Sequence, residues 1–159
     1  MIVAAINGHG MRYMSGKAFF DTNVLVYAFD KSDPIKNTIA KQLIRDFGAD
    51  GNLVLSTQVL QEFYVTTTKM GKSLLPREVA ADIVDDFAEF PLTPVDRIII
   101  SRAMIRHQDK VFSFWDSLIV EAALQSGCSQ LLSEDMQDNL VIDSLTIHNP
   151  FSSSWAGTG

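Results

Sequence analysis

The sequence has little cysteine, no long hydrophobic run and no excess of basic residues. Its one cysteine, Cys128, leaves no partner for an internal disulfide, which agrees with a reducing compartment. No stretch approaches the ~20 apolar residues that a membrane span needs. The formal net charge of −6 argues against broad, non-specific binding of nucleic acid. We therefore expect a cytoplasmic protein with no membrane partner, in which Cys128 is a small buried residue.

The composition predicts one globular domain between two short ends. A chain of 159 residues with 47% hydrophobic residues is long enough to bury a substantial core. Residues 1–16 contain three glycines and no clear periodicity, so we interpret them as an N-terminal extension. The apolar start is too short for a signal-peptide core and has no basic leader. We expect the folded domain at 17–151 and a loose tail at 152–159.

Strand and helix signals alternate along the chain. Strands are predicted at Lys17–Phe20, Leu53–Leu55, Leu92, Leu131–Leu132 and Leu145–Ile147. Helices are predicted over residues 23–29, from Asp33-Pro34 to Gly48, from Ser56 or Thr57 to Met70, from Pro76 to Phe90, from beyond Pro94 to His107, and from Asp116 to Gln125. This alternation predicts an α/β fold, a three-layer α/β/α sandwich with a mainly parallel central sheet.

Four acidic residues lie in local settings where a carboxylate is costly. Asp21 and Asp135 each follow a predicted strand, Asp116 opens a predicted helix, and Glu62 lies among apolar residues of another helix. Functional sites of open parallel sheets form at the carboxyl ends of the strands, so at least three of these acids should meet at one edge. A hard divalent cation bound by oxygens would compensate their charge. The pattern therefore indicates metal-assisted cleavage of a phosphodiester.

Each acid also has a simpler interpretation. Asp21 can be a turn or cap residue, and Asp116 can be the N-cap of the helix that follows it. Capping does not exclude metal binding, because a carboxylate has two oxygens. For Glu62 the alternative is a salt bridge to a lysine or arginine, since unpaired carboxylates are rarely buried.

The last acidic segment leaves several assignments open. Asp135 can cap a final helical turn, and Glu134 and Asp138 are competitors for its role. Asp138 can also act as an outer ligand or hold a metal-bound water. Three polar neighbours are candidates to orient carboxylates or waters from outside the metal, although such residues often only close a turn: Thr22, Asn23 and Ser133.

Four segments of the sequence, in this order, resemble the PIN domain, and more narrowly the VapC-type toxins of bacterial toxin–antitoxin pairs. They are FDTNVLVY at 20–27, QVLQEFY at 58–64, WDSLIV at 115–120 and LSEDMQD at 132–138. The resemblance extends from about Lys17 to Phe151, and residues 1–16 are not part of it. The order and context of all four segments make the match specific, whereas a lone Asp-Thr-Asn would not be.

The resemblance implies a function and a set of residues. Asp21, Glu62, Asp116 and Asp135 would be the catalytic, metal-binding acids, with Asp138 as a possible fifth ligand. Such proteins are typically ribonucleases that depend on Mg²⁺ or Mn²⁺. The partners implied are an RNA substrate, a second copy of the chain in a homodimer, and a cognate antitoxin whose tail approaches the acidic pocket.

Other functions fit the sequence less well. An aspartyl-phosphate phosphatase usually needs a second aspartate two residues after the first, where this chain has Asn23. A receiver domain does not suit Glu62 within an apolar helix. His107 and His148 form a ribonuclease pair only if the fold brings them together. A housekeeping RNA-processing nuclease remains an alternative, as does an inactive PIN-like binding module, although the latter would normally have lost an acid.

Two further groups bear on RNA binding. Arg102 and Arg106 share a helix face, which is either a solvated surface or part of an RNA groove. Five aromatic residues are candidates to stack on bases or to pack in the core: Tyr13, Tyr64, Phe112, Phe114 and Trp115.

Overall fold

The structure is a computed structural model that describes residues 16–157, with no side-chain description at 156 and 157. The predicted N-terminal extension lies outside the described residues except for Gly16, and so does Tyr13. Within the described part, no helix has the length and apolar character to cross a membrane.

The described strands form one six-stranded sheet. They are β1 (Ala18–Phe20), β2 (Leu53–Ser56), β3 (Leu92–Thr93), β4 (Gln130–Leu132), β5 (Val141–Ile142) and β6 (Leu145–His148), arranged in the order β3-β2-β1-β4-β6-β5. Every pairing is parallel except that of β5 with β6. The central strands β1, β2 and β4 are buried throughout, as expected for a sheet that is covered on both faces.

Seven helices cover the sheet within residues 16–157. They are α1 (Thr22–Tyr27), α2 (Pro34–Ala49), α3 (Thr57–Thr67), α4 (Arg77–Phe87), α5 (Arg97–His107), α6 (Phe114–Gln125) and α7 (Ser153–Gly157). Helices α1 to α4 pack against one another, and α5 packs on α6, which contacts β2 and β4. The predicted three-layer α/β/α sandwich with a mainly parallel sheet is confirmed.

Polar side chains at the helix starts explain where several helices begin. Asp33, Ser56 and Asp96 each accept a hydrogen bond from a backbone N–H in the first turn of the following helix. Asp21 caps α1 in the same manner, because its carboxylate accepts from the Thr22 backbone N–H. Such a cap satisfies a backbone donor that has no partner within the helix.

The buried core explains why the sheet edge is held in one place. The largest fully buried side chains come from β1, β2, β4 and the helices packed on them, and include Phe19, Phe20, Leu55, Phe63 and Leu131. The Phe63 ring packs edge-on against Phe87 and Phe29, with centroid separations of 5.2 and 5.6 Å. Full burial of such side chains contributes roughly 1.5–3 kcal/mol each, so the residues that leave these strands have little freedom to move.

Three local predictions differ from the structure. Asp116 is not an N-cap: Ser113 caps α6, its hydroxyl accepting from the Asp116 N–H, and Asp116 lies in the first turn. Asp135 caps no helical turn, because the chain bends without forming a helix there. The segment expected as a loose tail contains α7, where the Trp155 ring lies 5.1 Å from His148.

Candidate active site

The four acids that the sequence singled out line one pocket at the carboxyl ends of the central strands, together with Asp30 and Glu134. Asp21 follows β1, Asp135 follows β4, Glu62 lies on α3, and Asp116 lies in the first turn of α6. The pocket has a volume of about 870 Å³. Strand β1 lies between β2 and β4, so the chain crosses over to either side of it, and ligands commonly bind at such a switch point. The structure therefore brings together the four acids that the sequence singled out.

Asp21 is the most buried acid of the set. Its side chain is only 6% exposed. One oxygen accepts the Thr22 backbone N–H at 2.7 Å, and the other accepts the Ser133 hydroxyl at 2.7 Å. The second bond joins the ends of β1 and β4, which are adjacent in the sheet. The carboxylate is therefore held in one orientation by the two strands that form the floor of the pocket.

Glu62 is oriented by two neutral donors. The Thr22 hydroxyl donates to Glu62 Oε2 at 2.7 Å, and Gln58 Nε2 donates to Oε1 at 2.8 Å. None of the ion pairs found within residues 16–157 involves Glu62. The described residues therefore do not form the salt bridge that was the alternative interpretation of Glu62. Two hydrogen bonds fix the carboxylate without neutralising it, which leaves its charge available to a cation.

Asn23 connects the two strand ends from the solvent side. Its Nδ2 donates to Asp135 Oδ2 at 3.0 Å and lies 3.3 Å from Asp21 Oδ2. Its Oδ1 accepts the Glu134 backbone N–H at 3.1 Å, and the Ser133 hydroxyl accepts the Asp135 N–H at 3.2 Å. Thr22, Asn23 and Ser133 thus each contact an acid of the pocket, at the positions where the sequence placed them.

The acids repel one another across the pocket. The pKa of Asp21 is raised to about 7, by burial first and also by the charges of Glu62 and Asp116, against the lowering effect of its Ser133 and Thr22 hydrogen bonds. The pKa of Asp116 is raised as well, by burial first and then by Asp135 and Glu62. Burial and mutual repulsion disfavour the negative charge of these carboxylates. A bound cation would therefore stabilise them in the ionised form.

Glu134 faces the pocket but its charge is already balanced. Lys36 Nζ lies 2.9 Å from Glu134 Oε2, and the Tyr27 hydroxyl donates to Oε1 at 2.8 Å. The Glu134 and Tyr27 contacts raise the pKa of Lys36, so this lysine stays charged. Glu134 therefore competes poorly with Asp135 for a metal ion.

Asp138 lies outside the pocket. Its Oδ1 accepts the Asn149 backbone N–H at 2.8 Å, and its Oδ2 accepts the hydroxyls of Ser152 and Ser154, each at 3.3 Å. Asp138 is not among the residues that line the pocket. In this arrangement the residue anchors the C-terminal segment, so the structure does not bring it to the other four acids.

The remaining candidate groups are also elsewhere. His107 Nδ1 contacts the Phe112 carbonyl at 3.0 Å on α5, whereas His148 lies on β6, and neither lines the pocket. Cys128 is 2% exposed, and burial raises the pKa of its thiol to about 12, as expected for a packing residue. The paired-histidine alternative thus has no support from the geometry, and Cys128 is the buried residue that the sequence predicted.

The donor set of the pocket suits a hard divalent cation. All four candidate ligands are carboxylates, and oxygen ligands are those that Mg²⁺ and Mn²⁺ prefer. As the side chains stand, no three His, Cys, Asp or Glu residues within 16–157 converge closely enough to enclose an ion. Asp21, Glu62, Asp116 and Asp135 therefore fit a metal by their chemistry and their shared pocket.

Sequence reasoning missed Gln58, although a signal for it was present. Gln58 and Glu62 are four residues apart on α3, a spacing that places their side chains together on a helix. Gln58 Nε2 also donates to the Trp115 carbonyl at 3.2 Å, so one amide joins α3 to α6. The contact of Lys36 with Glu134 had no such signal, because about a hundred residues separate the pair.

Solved structures with the same fold include bacterial toxins. A chain of a toxin–antitoxin complex from Klebsiella pneumoniae has a TM-score of 0.62 and 20% identity, and the match covers 85% of this chain and 98% of that one. The sarcin–ricin-loop-cleaving toxin VapC20 of Mycobacterium tuberculosis has a TM-score of 0.54 and 16% identity, covering 72% and 87%. VapBC2 from Rickettsia felis, solved with a DNA fragment from its promoter, has a TM-score of 0.56 and 18% identity, covering 83% and 97%.

The family assignment comes from the sequence itself. No curated protein matched the chain. The family model of the PIN domain matches residues 18–138, a range that contains all four acids of the pocket and the sheet strands that position Asp21 and Asp135. The resemblance found in the sequence is thereby confirmed, and the chain belongs to the PIN domain family.

Proposed function

We propose that this protein is a metal-dependent endoribonuclease that hydrolyses RNA phosphodiester bonds, and that it is the toxin of a toxin–antitoxin pair. The observation that carries the proposal is that Asp21, Glu62, Asp116 and Asp135 line one pocket of a PIN domain. The similar toxin that cleaves the sarcin–ricin loop supports the choice of RNA as the substrate class.

In this mechanism Asp21, Asp116 and Asp135 would hold Mg²⁺ or Mn²⁺, and Glu62 would complete the site or bind a second ion. The bound ion would lower the pKa of a water and stabilise charge on the phosphate. Thr22 and Gln58 keep Glu62 in position, as their hydrogen bonds of 2.7 and 2.8 Å indicate.

The reaction consumes one water and breaks one P–O bond. Water attacks phosphorus in line, its proton passes to a carboxylate of the pocket or to bulk water, and the bond to the 3′ oxygen breaks. The 3′ oxygen takes up a proton, so the products carry a 5′ phosphate and a 3′ hydroxyl.

The direct test is cleavage of a mixed RNA pool by the purified protein with Mg²⁺ or Mn²⁺, with and without EDTA. We expect EDTA to stop cleavage and Asp116→Asn to reduce it by roughly tenfold or more, since loss of even an outer partner of a metal site costs about that much. Asp82→Asn on α4 is the matched control, because this exposed aspartate lies outside the pocket and should leave the rate unchanged.

Two results would overturn the assignment. Cleavage that survives EDTA would exclude the metal-dependent mechanism. Absence of cleavage from every pool, by a folded protein, would favour the inactive binding module over the nuclease.

Thr22 offers a test of how the site is oriented. Thr22 is 7% exposed, and its hydroxyl donates to Glu62. Thr22→Val keeps the shape and removes the donor, so we expect about a 10–100-fold loss of cleavage with the fold retained. Thr38→Val, which removes an exposed hydroxyl of α2 that bonds only the Pro34 carbonyl, is the control. Equal rates for the two variants would show that Glu62 does not need this hydrogen bond.

The toxin role implies further partners. We propose a cognate antitoxin that covers the acidic pocket, a homodimer, and a cytoplasmic location. A housekeeping RNA-processing nuclease is the alternative with the same chemistry. A gene for a small antitoxin beside this one favours the toxin, and its absence favours the housekeeping enzyme.

A further inference from the structure

Two exposed apolar side chains line the pocket beside its acids, and we call them its rim. Trp115 and Val65 line the pocket and are 64% and 65% exposed. Trp115 is the one aromatic residue among the exposed large hydrophobic side chains of residues 16–157. Phe112, in contrast, is buried, and Tyr64 and Phe114 are half-buried. Among the described aromatic candidates for base stacking, the fold therefore presents Trp115 to solvent.

Trp115 is held at a fixed place relative to the acids. Gln58 donates through Nε2 both to the Trp115 carbonyl, at 3.2 Å, and to Glu62 Oε1, at 2.8 Å. The Phe114 ring supports the indole with a centroid separation of 5.5 Å and an interplanar angle of 63°. Gln58 thus links the backbone of Trp115 to the acidic set, and Phe114 restricts the indole ring.

We propose that the Trp115 indole stacks on an unstacked nucleobase of the RNA, next to the phosphate that is cut. This inference rests on the proposed function and names the part of the substrate that the rim contacts. Trp115 and Asp116 line the same pocket, so a nucleotide whose phosphate reaches the acids has its base within reach of the ring. Aromatic side chains bind unstacked RNA bases in this way.

The size of the rim favours a base over a protein partner. A stable protein interface covers about 800 Å² on each partner, with apolar residues spread over its centre. At this rim, the exposed large apolar residues that line the pocket are Trp115 and Val65 alone, within residues 16–157. Two such side chains beside the acids match the face of a single base.

The first experiment uses the fluorescence of Trp115 and needs no change at that residue. Trp155 is the other tryptophan of the chain and lies on α7 against His148, so Trp155→Phe leaves Trp115 as the only tryptophan, which excitation at long wavelength selects over tyrosine. The Asp21→Asn/Trp155→Phe protein, with Mg²⁺, is titrated with a mixed-sequence single-stranded oligoribonucleotide and with one of the same length made of abasic ribose. We expect quenching by the first and none by the second.

The second experiment measures affinity for the same oligoribonucleotide. In the Asp21→Asn background we expect Trp115→Leu to weaken binding by roughly tenfold, and Trp115→Phe to weaken it much less, because phenylalanine keeps a stacking face. A purely structural role would affect the two variants alike, and thermal unfolding checks that both remain folded.

The outcomes separate this inference from the proposed function. RNA binding with unchanged Trp115 emission overturns the inference alone and leaves the rim as a contact for a protein. Equal affinity of Trp115→Leu and its parent also overturns it, whether or not the wild-type protein cleaves RNA. Absence of both RNA binding and wild-type cleavage overturns the inference together with the proposed function.

Discussion

Asp21→Asn is expected to abolish RNA cleavage and, at the same time, to stabilise the fold above neutral pH. The loss of activity should exceed the roughly 10–100-fold that an outer partner of a metal site costs, because Asp21 is proposed as a direct ligand. The gain in stability follows from its burial, since asparagine fills the same space without a charge that the surrounding acids repel.

The sign of the pH dependence follows from the pKa of Asp21. Its folded pKa of about 7 lies above the ordinary value of 3.8 for an aspartate, so the folded state binds more protons between these two values. The contribution of Asp21 to the free energy of unfolding is therefore fully present below 3.8 and is lost as the pH rises through about 7. The difference amounts to about 4 kcal/mol at most, at 1.36 kcal/mol per pKa unit.

The measurement is urea unfolding across this pH range in EDTA, with wild type, Asp21→Asn and the exposed control Asp82→Asn. Wild type and the control should lose stability as the pH rises, whereas Asp21→Asn should lose much less. Mg²⁺ added at alkaline pH should restore stability to wild type, because a ligand that binds only the folded state stabilises it. An Asp21→Asn protein as pH-sensitive as wild type would contradict the burial argument.

Much of the fold was predictable because its signals are local. The apolar runs at Phe19–Phe20 and Leu131–Leu132 are strands that the sequence predicted within one or two residues. Helix caps and proline positions marked most helix starts. Since the carboxyl ends of parallel strands share an edge, the placement of Asp21 and Asp135 followed from strand order alone.

The errors arise where a local signal has two interpretations or is very short. Asp116 is a good N-cap residue, yet Ser113 takes the cap one turn earlier, because Phe114 and Trp115 already belong to α6. The two-residue strand β5 was missed because Val141–Ile142 pairs only with its hairpin neighbour β6. A strand of that length carries no periodicity that a sequence can reveal.

Contacts between distant side chains were beyond the sequence. Asp138 was grouped with the acids by its motif, whereas its oxygens bond Asn149, Ser152 and Ser154. The sequence assigned Arg106 either to a solvated face or to an RNA groove. In the structure its guanidinium instead forms an ion pair with Glu121. Its Nε lies 2.6 Å from Glu121 Oε1, in a contact between α5 and α6.

Loss of the ion pair between Arg106 and Glu121 is expected to have the second large effect, which is on stability rather than on cleavage. The Glu121 side chain is 8% exposed and that of Arg106 is 20% exposed. Arg106→Met would leave the Glu121 carboxylate buried beside an apolar group, so we expect a loss of about 3–5 kcal/mol in the free energy of unfolding. Asp143, 3.9 Å from the guanidinium and 75% exposed, adds little to the pair.

Two variants complete the comparison by urea unfolding at neutral pH. Arg102→Met removes an exposed arginine of the same helix and should change stability by no more than about 0.5 kcal/mol. Arg106→Met/Glu121→Leu removes both charges and should recover most of the loss, because an apolar pair of similar volume often replaces a buried ion pair without cost. An Arg106→Met protein as stable as Arg102→Met would mean that Glu121 finds water or another donor, and would return Arg106 to the RNA-binding candidates.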